Sequence, residues 1–237
     1  DQERFPREKP CSDIYGRHGV DAYKEIGAYD ELLQQGFLFP DLMLTSPDYT
    51  ALKGPNLLSV TCPRRVGDNI LKQAAARQGA TVLEAFWVND LMMNRGQVVG
   101  VKAKYEGKFV EYPARIVIGA DGSHSWVAKR LGLFADNYDE VFLAGRAYYA
   151  DCDPPLRTME VHYDPHFFPG FVCLSPHPGY GEVVNVGIGY QMTSYVQARE
   201  DVEALTRKFI ETSPYGEKLR KARKVSDWMG WRVPSAG

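Results

Sequence analysis

The chain has 237 residues, with 28 Lys and Arg against 30 Asp and Glu, a formal charge of −2, and 44% hydrophobic residues. That balance excludes a disordered tail, a collagen-like fibre and a small disulfide-stapled scaffold, and a chain this long buries roughly 70% of its unfolded surface, enough for a real core. With no long basic run to follow a phosphate backbone, nucleic acid is a poor default partner.

Taken in chain order, the opening DQERFPREKP is polar and has no apolar signal segment. It reads as the continuation of something missing upstream. Residues 23–35 permit a short helix, with Ile26, Tyr29, Leu32 and Leu33 at helical spacing and Gly36 as its stop. The stretch 37–49 is broken by Pro40 and Pro47 and reads as edge or loop material. Leu57, Leu58 and Val60 suit a strand before Cys62. The strongest helix follows, with Val66, Ile70, Leu71 and Ala74 on one face and Gly79 after it. Residues 81–88, TVLEAFWV, are strand-like. Residues 96–118 read as a hairpin: QVVGVKAKY, a turn containing Glu106 and Gly107, then KFVEYPARIVIGAD. Pro113 demands an edge or bulge before the chain becomes buried at Ile116, Val117 and Ile118.

After Gly132 the texture changes. VFLAGRAYYA, TMEVHYD, FVCLS and EVVNVGIGY are four strand candidates of a largely antiparallel sheet. An amphipathic helix is expected from about 194 to 209, carrying Val196, Val202, Leu205 and Phe209, followed by a basic segment, GEKLRKARKV. The chain stops at WRVPSAG as abruptly as it starts.

Cys11, Cys62, Cys152 and Cys173 lie far apart, in neither a C-x-x-C nor a zinc spacing, which suits a reducing, cytoplasmic compartment. His124, His162, His166 and His177 show no metal-ligand spacing, and no serine sits in a nucleophile elbow. No stretch approaches the roughly 20 apolar residues of a membrane span, so membrane contact, if any, is peripheral.

The sharpest local feature is ARIVIGADGSHSWVAKRLG. A β-branched strand that delivers Asp121 and Gly122 at its carboxyl end is placed to meet a ligand in an open α/β sheet. Asp121 then accepts from a ribose hydroxyl, and Gly122 admits a pyrophosphate. The alternative is a tight strand-to-helix turn in which Asp121 is only a cap.

Read with its strand, GADGSHSWVAKRLG resembles the second flavin fingerprint of FAD-dependent monooxygenases and their relatives. FPREKPCSD resembles the F-P-R-x-K-x-C-G segment of the geranylgeranyl reductase family, and CPRRVGDNILKQAAARQGA resembles its R-x-x-F-D-x-x-L helix. PGFVCLSPHPGYGEVVNVGIG resembles its P-G-Y-x-W-x-F-P segment followed by N-V-G-x-G. The four motifs stand in family order over nearly the whole chain.

The resemblance implies an α/β, incomplete FAD/NAD(P)-binding flavoprotein fold with a mostly antiparallel β-sheet substrate domain. Residues 1–135 would be a partial FAD-binding domain, and 136–237 the substrate domain with the start of a return to the FAD domain. It implies an oxidoreductase in which reduced FAD, reloaded by NAD(P)H or another reductant, reduces carbon-carbon double bonds of an isoprenoid or related lipophilic substrate. Asp1, Arg64, Asp121 and Gly122 would hold FAD. The family cysteine near the flavin makes Cys11 the catalytic candidate, against the reading of a buried small hydrophobe. His162, Phe171, Cys173 and Ser175 would line the substrate side, although His162 also suits packing.

Departures accompany the matches. No G-x-G-x-x-G loop and no G-D-A motif occurs in the sequence, so isolated FAD affinity should be poor. Ser12 stands at a usual Gly and Gly67 at a usual Phe, while Phe171, Cys173 and Ser175 replace Tyr, Trp and Phe and reshape the substrate wall. Two rivals follow: a flavin monooxygenase of an aromatic or polyketide substrate, and a truncated, non-catalytic fragment or binding domain that needs a second chain to complete a flavin site.

Overall fold

The computed structural model describes residues 1–133, 140–199 and 201–234. A short strand β1 (Ile14–Tyr15) leads into helices α1 (Arg17–Glu25) and α2 (Tyr29–Gln35), then a hairpin of β2 (Asp41–Thr45) and β3 (Ala51–Pro55). The short strand β4 (Val60–Thr61) pairs with β1 and runs into helix α3 (Arg64–Arg77). The single helix expected at 23–35 is thus two, separated by a turn at Gly27 and Ala28. Val20, Tyr23, Leu32, Ile70 and Ala74 from the three helices bury against Tyr15, Val60 and Cys62.

Strands β5 (Trp87–Asn94), β6 (Gln97–Tyr105) and β7 (Lys108–Pro113) form an antiparallel three-stranded sheet. Glu106 and Gly107 both have positive φ, 49° and 77°, the geometry that matches the twist of a two-residue hairpin. After a short helix α4 (Trp126–Arg130) come β8 (Val141–Ala150), β9 (Met159–His162), β10 (Gly170–His177) and β11 (Val183–Gln191), the four strands expected. Helices α5 (Met192–Ala198) and α6 (Val202–Thr212) precede two further strands, β12 (Arg223–Lys224) and β13 (Met229–Pro234). One helix was expected here too. Arg199, with φ 56°, ends the first, and the Asp201 carboxylate caps the second by accepting from the Ala204 amide at 2.7 Å.

The large sheet runs β12-β8-β11-β10-β9-β2-β3, with β13 also on β8, and is antiparallel except where β2 meets β9. This corrects the reading of 37–49 as edge or loop. Pro40 and Pro47 flank β2 instead of interrupting it, so its amides pair with β3 on one side and β9 on the other. The hairpin thereby joins a sheet built mainly by the second half, and the expected boundary at 135 and 136 lies outside the described residues, as do residues 235–237 of the closing segment.

Three other expectations are corrected. Leu57 and Leu58 are exposed in a turn, which the Asn56 side chain holds by donating to the carbonyls of Phe39 and Ser59. Residues 81–86 lie before β5 and meet the chain's first residues, with the Phe86 amide donating to the Asp1 carbonyl. Ile116 and Ile118 are not buried but 79% and 83% exposed, because no strand among the described residues pairs with that β-branched run.

Alternation gives the large sheet two different faces. On one, Ala147, Tyr149, Val172, Leu174, Val184, Val186 and Ile188 pack against Leu205 and Phe209 of α6 and against Leu219. The other face carries Arg146, Tyr148, Phe171, Cys173, Ser175, His177 and Asn185 and receives the segment around Cys11.

Candidate functional site

Asp13 is the centre of that second face. It is fully buried, with a left-handed φ of 60°, a conformation that Asp tolerates better than most residues. Its Oδ1 accepts from the Arg64 amide at 3.0 Å, which fixes the start of α3. Its Oδ2 accepts from the Tyr148 hydroxyl at 2.5 Å and from Asn185 Nδ2 at 2.7 Å, and its carbonyl accepts from the Cys62 amide at 2.9 Å. Burial raises the carboxyl above its ordinary range, with the Tyr148 and Asn185 hydrogen bonds opposing. His177 Nε2 lies 3.5 Å from the same Oδ2, and burial, then the Arg146 charge, lowers the imidazole to about 3, so it is neutral. Arg146 is itself buried, pairs with Glu8 at 2.7 Å and stacks over the Tyr148 ring.

A second cluster adjoins it. Arg64 grips Asp68 through Nε at 2.6 Å and Nη2 at 3.1 Å, and Arg7 reaches the same carboxylate at 3.0 Å. The remaining Arg64 nitrogen, Nη1, lies 3.5 Å from Cys11 Sγ. Asn185 Nδ2 also donates to the Cys11 carbonyl at 2.8 Å. Burial, then the Arg64 charge, lowers the Lys9 ammonium, with Asp68 opposing and Arg7 adding to it, so Lys9, Arg7 and Arg64 gather three cations around the buried Asp68 carboxylate.

The departures from the family pattern are compensated in space. A Cβ larger than hydrogen at position 67 would collide with the Tyr15 hydroxyl, so Gly67 and Tyr15 exchange volume across β1 and α3. Ser12 lies against Gly187, where an added Cβ would stand 2.8 Å from Ser12 Oγ, and its hydroxyl bonds Cys173, whose thiol burial pushes up to about 12.

Beyond Cys173 the face becomes apolar. Phe39, Met159 and Cys173 are buried, and Ile14, Phe37, Leu42, Val161 and Phe171 pack on them while staying partly exposed. Phe171 lies over Gly189, whose missing Cβ makes room for the ring. Ser175 is fully buried with its hydroxyl on Met159 Sδ at 3.3 Å, so of the three wall residues only Phe171 retains exposed surface.

His162 corrects an expectation. It stands opposite Val172, on the face away from Phe171, Cys173 and Ser175, because its neighbour Val161 pairs with Cys173. Its ring lies between Thr45 Oγ1 at 3.0 Å and Glu160 Oε2 at 2.9 Å, stacks on Tyr215, and Glu160 is held by Lys218 at 2.6 Å. It packs the core.

Asp121 caps α4. Its Oδ2 accepts from the amides of Trp126 at 2.7 Å and Val127 at 3.0 Å, and its Oδ1 from the Ser125 hydroxyl at 2.5 Å. Burial opposes ionisation, but the Ser125 hydroxyl and these amides hold the carboxyl below its ordinary range. Gly122, with φ 88°, has open space where a Cβ would stand. Asp1 is exposed, with Oδ1 accepting from the Glu3 amide at 2.9 Å and Oδ2 3.9 Å from Arg7.

The structure therefore brings Cys11, Arg64 and Cys173 to one face, while the hydrogen bonds of Asp121 stay within its own turn. Asp13, Tyr148, Asn185, Arg146 and His177 were missed. Asp13 and Asn185 lie inside the motifs quoted above, but nothing in the sequence shows that they touch.

No protein-family model matches the chain. A digeranylgeranylglycerophospholipid reductase of Methanocella arvoryzae is 25% identical over 181 residues, covering 73% of this chain and 45% of that protein. A geranylgeranyl bacteriochlorophyll reductase-like structure from Thermoplasma acidophilum superposes with TM-score 0.82 at 18% identity, over 99% of this chain and 59% of that one. The chain is thus similar in sequence to digeranylgeranylglycerophospholipid reductases and shares its fold with flavin-dependent enzymes. It spans less than half the length of the curated relatives it matches. Geranylgeranyl reductases share the fold with other flavoproteins: a flavin-dependent brominase also superposes with TM-score 0.82, at 17% identity, over 98% of this chain and 59% of its own.

Proposed function

We propose that this chain works as part of a FAD-dependent oxidoreductase that reduces carbon-carbon double bonds of an isoprenoid or related lipophilic substrate. One observation carries the reading: an electropositive cluster around Arg64 and Cys11 stands on the same sheet face as a partly exposed apolar wall. The residues present fit FAD. Lys9, Arg7 and Arg64, gathered around the one buried carboxylate of Asp68, favour an anionic group such as a diphosphate or a reduced flavin ring. Gly122 leaves its backbone open to close approach, and the Asp1 carboxylate remains able to accept a hydroxyl.

Reduction of a double bond adds a hydride to one carbon and a proton to the other; bound, reduced FAD supplies the hydride. In this reading Arg64, clamped by Asp68, holds Cys11 Sγ toward the reacting atoms, and Phe37, Leu42, Val161 and Phe171 orient the chain of the substrate and exclude water. Asp121 acts by ordering the turn that presents Gly122. NAD(P)H is the proposed reductant. No helix among the described residues is long and apolar enough to cross a membrane, and peripheral contact is proposed only because the substrate is lipid-like.

The equal superposition on a flavin-dependent brominase supports a second reading, an oxygen-dependent monooxygenase or halogenase of an aromatic substrate. The sequence relatives that are named digeranylgeranylglycerophospholipid reductases favour the first. The sequence lacks the G-x-G-x-x-G loop, so the working enzyme requires that element from further residues or a second chain. The test is an anaerobic reaction of the flavin-loaded, prereduced protein with a geranylgeranyl lipid. Oxidation of the flavin with a gain of paired hydrogens on the lipid supports reduction. A product formed only with oxygen, carrying oxygen or halogen, overturns it.

A further inference from the structure

We propose that Asp13 is the positioning residue of the Cys11–Arg64 pair: one buried carboxylate fixes both partners of that contact. The inference rests on the reading of Cys11 and Arg64 as part of the working site. Asp13 Oδ1 takes the Arg64 amide at 3.0 Å, so the first turn of α3, from which the guanidinium reaches out, is set by this oxygen. Asp13 Oδ2 takes Asn185 Nδ2 at 2.7 Å, and the same nitrogen donates to the Cys11 carbonyl at 2.8 Å. The amide of Asn185 is thus oriented by Asp13 and in turn holds the backbone of Cys11.

Two observations set this arrangement apart from ordinary core packing. Asn185 Oδ1 is buried without a hydrogen-bond partner, so the side chain keeps its orientation for what its nitrogen holds. Tyr148, whose hydroxyl burial drives far above its ordinary range, keeps its proton and can only donate to the carboxylate from outside the pair. Asp68 fixes the guanidinium plane, but nothing in its contacts reaches Cys11. Asp13 meets the pair from both ends, through the Arg64 amide and through Asn185.

The experiment is a double-mutant cycle read by the rate at which iodoacetamide alkylates Cys11, followed by mass spectrometry. Cys62, Cys152 and Cys173 are buried, which leaves Cys11 as the accessible thiol. Arg64 Nη1 stands 3.5 Å from Cys11 Sγ and orients it, so Arg64→Gln should change the alkylation rate by at least about threefold in the parent protein. In Asp13→Ala the same Arg64→Gln change should alter the rate by less than about half that amount on a logarithmic scale, because the contact is already lost. Asn185→Ala, which removes the link from Asp13 Oδ2 to the Cys11 carbonyl, should likewise cut the Arg64 effect to less than about half and serves if Asp13→Ala does not melt cooperatively. A full Arg64 effect persisting in either folded background overturns the positioning role. An absent Arg64 effect in the parent protein overturns instead the underlying Cys11–Arg64 reading. Neither flavin nor substrate enters the measurement.

Discussion

The Tyr15 hydroxyl occupies the space that a side chain at position 67 would fill. The ring is buried, and burial raises its phenol above the ordinary range, so it cannot escape the collision by turning to water. Gly67→Ala should therefore destabilise the protein by about 2 kcal/mol, within the usual range for overpacking. Tyr15→Phe removes the nearest atom but leaves the ring carbon Cζ 2.6 Å from that Cβ, so it should restore only part of the loss in the double variant, a coupling that urea unfolding of the four proteins measures. Additive effects would contradict the exchange of volume.

His177 gives the protein a specific acid sensitivity. Its folded value is lowered to about 3, below the ordinary 6.5 that the unfolded chain keeps. Stability from its neutral form is complete above the ordinary value and is lost as pH falls toward the folded one, by about 1.4 kcal/mol per pH unit. From about pH 6.5 to 4.5 the parent should therefore lose ~2 kcal/mol more than His177→Gln. Equal losses in urea titrations at the two pH values would rule out a buried neutral imidazole.

On the opposite face, Glu160 joins Lys218 to His162. Glu160→Ala leaves that ammonium and imidazole without their shared acceptor and should cost about 3 kcal/mol. The rate of Cys11 alkylation should not change, since the sheet separates the two networks. A change in both would show that the faces communicate.

Asp121→Ala removes the acceptor of the Trp126 and Val127 amides at the start of α4. Amide hydrogen exchange at those two residues should quicken by roughly tenfold, matching a lost cap of about 1 kcal/mol or somewhat more. Unchanged protection would mean that the turn is held by something other than the carboxylate.

Which parts of this were legible in the sequence follows from how local each cause is. The strands β8 to β11 and the hairpin β6–β7 were readable because alternation and turn chemistry lie within a few residues. The interior place of β2 was not, since a proline pair reads the same whether it flanks or breaks a strand. The split of the helix near 199 turns on one left-handed residue, Arg199, that periodicity does not register. The apolar run at Ile116 to Ile118 looked buried because sequence reports hydrophobicity but not whether a neighbouring strand is present. At the site, Cys11, Arg64 and Cys173 were marked by their motifs, and the shared face of Phe171, Cys173 and Ser175 by alternation. Asp13 and Tyr148 lie 135 residues apart, and only the packing of the first segment on β8 and β11 joins them.

The central claim, that the face carrying Arg64 and the turn at Gly122 meet a flavin, is tested most directly by titrating FAD with the purified protein and following its visible absorbance and fluorescence. The account predicts a perturbed flavin spectrum with weak affinity, a dissociation constant above about 10 µM, because the sequence lacks the glycine loop that cradles the diphosphate. Both Arg64→Gln and Gly122→Val should weaken it at least about tenfold, or roughly 1.4 kcal/mol. A spectrum that stays that of free FAD at all concentrations, or a perturbation indifferent to both substitutions, would contradict the claim.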